Sequence, residues 1–223
     1  MTIHDISVAP ISSKAARCFI EKKHYSRRFP IFWAGFALVV DGMVDGVVVY
    51  GQPSAPIQKH AFTGRDFRLY ELSRLVIQTE LRNAASILVG RSLNMLEKPS
   101  AVVSYADTAW GHSGIVYQAT NWLYTGATKS HDHLYLVDGA RVHPMTLRDK
   151  GVTDPKRWAK ENGIATVPPA EKHRYFFLNG SKRERAAMRA QLRYPVISAY
   201  PKSDKTMYDE GDVIDMRYEE AAA

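Results

Sequence analysis

The sequence predicts a mixed α/β domain: a central sheet with helices on its faces, followed by a basic extension. Three observations carry this. Short β-branched apolar runs alternate along the chain with stretches of helical spacing. The length of 223 residues suits one domain with an extension. An apolar fraction of 45% and a charged fraction of 24% describe an ordinary folded globule.

The elements follow in order. Phe36 to Val40 and Val47 to Tyr50 are apolar runs around Asp41-Gly42, a dipeptide that favours tight hairpin turns. Residues 51–56 form a turn-rich loop. Leu69 to Ile77 alternates as a strand, with Glu71 and Ser73 on one face and Leu72 and Arg74 on the other if it is regular. Asn83 is placed as the N-cap of a helix over Ala84 to Leu96. Ala101 to Tyr105 is the next strand, a short helix covers Ile115 to Ala119, and Trp122 to Tyr124 and Leu134 to Val137 close the sheet. Residues 1–147 form this core and 148–223 the extension. Residues 151–170 read as irregular. Ser181 to Leu192 is a basic helix, with Ser181 and Glu184 as a capping box. The acidic tail is expected to fray.

Charge is uneven. Residues 1–30 carry net +4, 31–147 zero, 148–205 net +8 and 206–223 net −5, within a total of +7. Two basic segments around a neutral middle suit a polyanion, or simply a solvated face. No run approaches the ~18 apolar residues of a membrane span. The start, MTIHDISVAP, has no secretory pattern. The single cysteine, Cys18, allows no internal disulfide and no Cys-based zinc site. A cytoplasmic setting is the default.

Polar clusters interrupt the apolar strands: His24-Tyr25 beside Arg27 and Arg28; Glu71 to Arg74; Asn83 with Ser86; Ser104 to Asp107; and Gly111 to Gly114, leading to Tyr117. Each has a structural alternative. Glu71 and Arg74 suit a paired couple, Asn83 a cap, Asp107 a turn cap, His112 a surface loop, and the tyrosines from 117 onward sheet packing. Their concentration at strand ends is where α/β sheets hold ligands. Walker, Rossmann, zinc-protease and nucleophile-elbow motifs are missing. So are methyltransferase motifs. Of His131, Asp132 and His133, only the two histidines share a strand face, too few for a zinc site.

Together these blocks resemble the Mom proteins of Mu-like phages. They are His24-Tyr25, ELSRL at 71–75, Asn83 to Ser86, Ser104 to Asp107, Gly111 to Gly114 and Val116 to Trp122, with His173 to Tyr175 and Tyr200 to Lys202. The similarity runs from about residue 20 to residue 203. It implies a GNAT-like acyltransferase fold. It also implies conversion of adenine in phage double-stranded DNA, inside the host cell, to a carbamoylmethyl derivative that blocks restriction. The usual Gly-rich donor loop is replaced by Leu81 to Ser86, which weighs against coenzyme A. A carbamoylmethyl group has the atoms of a glycyl group, so glycyl-tRNA is the favoured donor and tRNA a second nucleic-acid partner, with acetyl-CoA the alternative. An iron requirement fits the atoms of His24, Tyr25, Asp107 and Tyr117, without support from their spacing.

On this resemblance Asp107 serves as base or ammonium-binding carboxylate, and Arg74 steadies a phosphate or oxyanion. Ser104 donates hydrogen bonds, while His24 and Tyr25 hold an extruded base. Ser73, Asn83, Ser86 and Tyr117 face the donor. Arg27, Arg28, Lys182, Arg183, Arg185 and Arg189 contact nucleic acid. The competing readings are a coenzyme A-dependent acetyltransferase on another acceptor and a non-catalytic DNA-binding protein.

Overall fold

The computed structural model describes residues 5–64, 66–129, 133–168, 170–202 and 213–222. In chain order the first half comprises β1 (Ile6–Pro10), α1 (Ser13–Lys23), β2 (Ala34–Val40), β3 (Met43–Gly51), α2 (Ala55–His60), β4 (Arg68–Ile77), α3 (Ala84–Met95), β5 (Ser100–Asp107), α4 (Ile115–Ala119) and β6 (Leu123–Lys129). The β2–β3 hairpin turns on Asp41 (φ 50) and Gly42 (φ 81), both in the left-handed region that the tightest hairpins require. Both strands are nearly all buried. That explains their continuous apolar runs, since helices cover both faces.

A small module follows: β7 (Leu134–Val137), β8 (Ala140–Val142), α5 (Pro144–Asp149), α6 (Pro155–Glu161) and β9 (Thr166–Val167). The expected closing strand at Leu134 to Val137 does not join the central sheet. It pairs with β8 and β9 in a separate three-stranded sheet. Tyr135, Leu147 and Ala159, with Trp158 and Ile164 against them, give the module its own apolar centre. The stretch 151–170, read as irregular, contains α6. Its start is fixed by Asp154, whose carboxylate accepts from the Lys156 and Arg157 amides, with Pro155 in the first turn where no amide is needed. His131 and Asp132 lie outside the described residues.

The chain then enters β10 (Glu171–Asn179), α7 (Lys182–Gln191) and α8 (Tyr218–Ala222). β10 inserts between β5 and β6, giving the seven-stranded order β1-β2-β3-β4-β5-β10-β6. Residues after 147 therefore complete the sheet. The sequence pattern hides β10 because its charged first half (EKHR) masks the short, mostly buried second half (YFFLN). On α7 the capping box at Ser181 and Glu184 is present.

Residues 213–222 do not fray. Ile214 and Ala221 are buried against α1 and β3, and Gln78 brackets Ile214 by donating to its carbonyl and accepting from its amide. Backbone pairing of Met216 with Val44 and of Tyr218 with Gly42 overrides the acidic composition. α3 and α4 cover one face of the sheet; α1, α2, α7 and α8 cover the other.

Candidate active site

All neighbouring strands of the main sheet are antiparallel except β4 and β5. These pair in parallel from Arg68–Ser100 to Glu71–Val103. Beyond that, β4 continues against β3 and β5 against β10, so the two strands part. Ser104 sits at the fork. Its hydroxyl lies 2.8 Å from both the Leu72 carbonyl and the Tyr117 hydroxyl. The carbonyl can only accept, so Ser104 donates to it and receives the Tyr117 proton. Burial pushes the Tyr117 phenol up to about 12, so it stays protonated at neutral pH. Ser104→Ala is expected to lower stability by about 1–3 kcal/mol, because a buried carbonyl and a buried phenol both lose their partner. Urea denaturation measures this.

The expected side-chain pattern on β4 is overturned by a β-bulge. Tyr50 pairs with Leu72 but Val49 pairs with Arg74, leaving Ser73 as the extra residue. The bulge turns Arg74 to the face of Val49, under α1, while Leu72 keeps to the α3 face. Glu71 and Arg74 thus share one face. Gly51, across from Glu71, has no room for a side chain, because the Ile31 carbonyl lies where its Cβ would be. That close approach brings the loop after α1 onto this end of the sheet.

A charged cluster occupies the α1 face at the fork. Arg74 donates from Nε to the Arg28 carbonyl at 3.0 Å and from Nη1 to the Ser73 carbonyl at 2.6 Å, tying that loop to β4. Burial lowers its pKa. Burial raises the pKa of Glu71, partly offset by a backbone hydrogen bond from Ser54 and by the charges of Arg74 and Lys172. From β5 and β10 come Asp107, paired with Lys172 at 3.4 Å, and Tyr105 beside Arg174. Asp107 also caps the 3-10 turn Thr108–Trp110, accepting from the Ala109 amide at 3.0 Å.

Aromatic rings wall the cluster. His24 lies 4.2 Å from Tyr25, and Tyr25 lies 4.8 Å from Trp110 and 5.8 Å from His112, centroid to centroid. The Ser26 amide donates to His24 Nδ1 at 3.1 Å, so the proton of the neutral ring is on Nε2. Burial, then the charges of Arg74 and His112, push His24 down to about 3. The unfolded chain binds this proton at about 6.5, whereas the folded one refuses it. Stability therefore falls as pH drops below about 6.5, by up to about 1.4 kcal/mol per unit. His24→Gln is expected to flatten the stability profile between pH 6.5 and 5 by about one proton.

The candidate residues therefore divide. His24, Tyr25, Arg28, Arg74 and Asp107 converge on the α1 face. Ser104 and Tyr117 lie on the opposite face, so Arg74, Ser104 and Asp107 do not line a single open cleft; alternation along β5 forbids it. Asn83 occupies the N-cap of α3, but with φ 64 and no side-chain cap bond. The Ser86 hydroxyl is turned back to the Asn83 carbonyl at 3.0 Å, and Ser73 Oγ to the Glu71 carbonyl at 3.3 Å. Arg27 is exposed, as are Lys182, Arg183, Arg185 and Arg189 on α7. Glu71, Trp110, His112 and Lys172 belong to the cluster and were not assigned roles from sequence. The bulge that recruits Arg74 to Glu71 leaves no sequence signal; Trp110-Gly-His112 after a strand end is the one available clue.

The donor set for iron does not fit. His24 Nδ1 is engaged by Ser26, Asp107 by Lys172 and Ala109, and Tyr117 lies across the sheet. Among the described residues no group of three His, Cys, Asp or Glu side chains could hold a metal ion.

The model of the Mom protein family matches residues 5–202. The chain belongs to the Mom family. The methylcarbamoylase Mom of Escherichia phage Mu is 32% identical over 213 residues, covering 89% of this chain and 84% of that one. The family match spans both the cluster and β10. The parting parallel pair β4–β5 in an otherwise antiparallel sheet gives this Mom-family chain the expected GNAT-like layout. Similar solved structures include Arabidopsis thaliana NAA60 in complex with a bisubstrate analogue (12% identity, 79% of this chain and 100% of that chain, TM-score 0.48). Another is an N-acetyltransferase from Staphylococcus aureus (11% identity, 78% and 98%, TM-score 0.43). These are likenesses of layout only.

Proposed function

We propose that this Mom-family protein transfers a glycyl unit to the exocyclic amine of adenine in phage DNA and rearranges it to the carbamoylmethyl form, shielding the DNA from restriction. The observation that supports this reading best is the Tyr25–Trp110 aromatic wall beside Glu71 and Arg74, which share one face at the strand fork. An amine inside a duplex is unreachable, so the base must be extruded, and an extruded purine needs rings to stack on.

The adenine amine is a weak nucleophile, since its lone pair is delocalised into the ring. It attacks the ester carbonyl of a glycyl donor; the C–N bond forms, the ester C–O bond breaks and the donor leaves as an alcohol. Glu71, whose proton affinity is raised by burial, accepts the proton released by the amine. The Arg74 cation lies on the same face and stabilises the developing oxyanion. Asp107 already carries Lys172 and the Ala109 amide. It suits recognition of the glycyl ammonium better than proton transfer. Glu71 then returns that proton to the leaving oxygen, so the alcohol departs neutral and the carboxylate is restored.

The freed glycyl amine then attacks the ring carbon. The new C–N bond forms there, the bond to the original nitrogen breaks, and that nitrogen becomes the terminal amide. No atom is gained or lost in this second step, whereas an acetyl donor would need a separate nitrogen source. Glycyl-tRNA is an activated glycine of this kind, and the exposed cations of α7 suit a polyanion.

The test is incubation of the purified protein with DNA and glycyl-tRNA, without acetyl-CoA, followed by mass spectrometry of the nucleosides. The expected product is deoxyadenosine heavier by one glycyl unit. No adduct with glycyl-tRNA but one with acetyl-CoA would favour the acetyltransferase reading. DNA binding with unchanged nucleosides would favour the non-catalytic one.

A further inference from the structure

Two polar contacts join the small module of residues 133–168 to the two loops that wall the cluster. Asp149, at the end of α5, pairs with Arg28 at 3.0 Å. Arg141, on β8, donates to the Ala109 carbonyl at 2.9 Å and holds its guanidinium 5.9 Å from the Trp110 ring. The module has its own apolar centre, and both of these contacts to the loops are polar. Arg28 follows Tyr25 in the loop that Arg74 ties to β4, and Arg141 sits beside the ring that Tyr25 faces. Two cations therefore flank an aromatic pair.

From this arrangement we propose that the seam between the module and the loops at 24–28 and 107–112 is the slot for one nucleic-acid strand. A backbone phosphate binds Arg28, Arg141 steadies the adjoining phosphate, and the extruded base stacks against the outer face of the Tyr25–Trp110 rings. Asp149 is the stand-in anion that phosphate displaces. The proposal rests on the reading of the protein as a DNA-modifying enzyme and identifies where the strand lies. A guanidinium prefers a phosphodiester because two parallel N–H groups match two oxygens. The Arg28–Asp149 pair is partly exposed, with side chains 34% and 59% accessible. Such pairs are worth about 0.2–1 kcal/mol, so displacement by a multivalent strand is feasible, and removing Asp149 should tighten binding by about 1.4- to 5-fold.

The test is fluorescence anisotropy with a short labelled adenine-containing oligonucleotide at about 0.15 M salt, where remote charges are screened. Asp149→Asn is expected to bind more tightly by that factor. Glu161→Gln removes the same charge from an exposed pair with Arg157 in the same module, and is expected to change binding by less. In an Arg28→Ala background, Asp149→Asn is expected to give no gain. Arg141→Ala is expected to weaken binding and lower the salt dependence by about one phosphate contact. Equal gains for Asp149→Asn and Glu161→Gln, or an undiminished gain in the Arg28→Ala background, would overturn the proposal. Oligonucleotide binding that behaves as expected, without any modified nucleoside, would sink the enzymatic reading and leave the slot standing.

Discussion

Glu71→Gln is expected to lower the single-turnover rate of DNA modification by about 10²- to 10⁴-fold, the contribution of a positioned proton acceptor. Gln keeps the shape of the side chain and can still accept the backbone hydrogen bond from Ser54, so the circular dichroism spectrum and thermal midpoint should stay close to those of the parent. The pH profile adds a second readout. Glu71 is a carboxyl whose pKa is raised by burial, so parent activity should fall as pH drops through that raised value. The Gln variant should lose this acid limb. A variant that keeps both the rate and the limb would remove Glu71 from the proton-transfer step and return attention to Asp107.

Arg74→Ala carries the second large effect, and a compound one. Loss of a cation aimed at a developing oxyanion costs about 10²- to 10³-fold in rate. The same deletion strips the Arg28 carbonyl of its donor and frees the loop that carries His24 and Tyr25. A stability loss of about 1–3 kcal/mol should accompany it. Arg74→Lys separates the two roles. It restores the charge, but one ammonium cannot reproduce a planar fork reaching two carbonyls on different segments. Its rate should fall between those of Ala and Arg, while the loop stays loosened. Full activity in the Lys variant would mean that charge alone matters.

Local patterns in the sequence carried the hairpin, β4, α3, β5 and the capped α7, because each is specified by residues adjacent in the chain. Asp41-Gly42 fixes a turn whose φ angles few other pairs tolerate, and Ser181 with Glu184 closes a helix start. What escaped depends on contacts far apart in sequence. β10 is a strand because β5 and β6 flank it, despite its charged first half. The tail is ordered because Gln78 and Val44 offer it backbone partners. The candidate site divides along the same line. Residues near strand ends were legible as a set. Their sorting onto two faces was not, because one extra residue at Ser73 reverses the direction of Arg74. Asp107 illustrates both sides: its turn-cap role could be read from its place before a strand exit, whereas its partner Lys172 is 65 positions away in the sequence.

The account stands on a glycyl unit meeting the adenine amine beside Glu71 and Arg74, then changing places with it. Tracing nitrogen tests this most directly. The protein is supplied with DNA and glycyl-tRNA labelled with ¹⁵N in the glycine, and the modified nucleoside is fragmented in a mass spectrometer. The account predicts that the label remains with the purine ring when the terminal amide is lost as ammonia. Label in the terminal amide, or an unlabelled product, would contradict it.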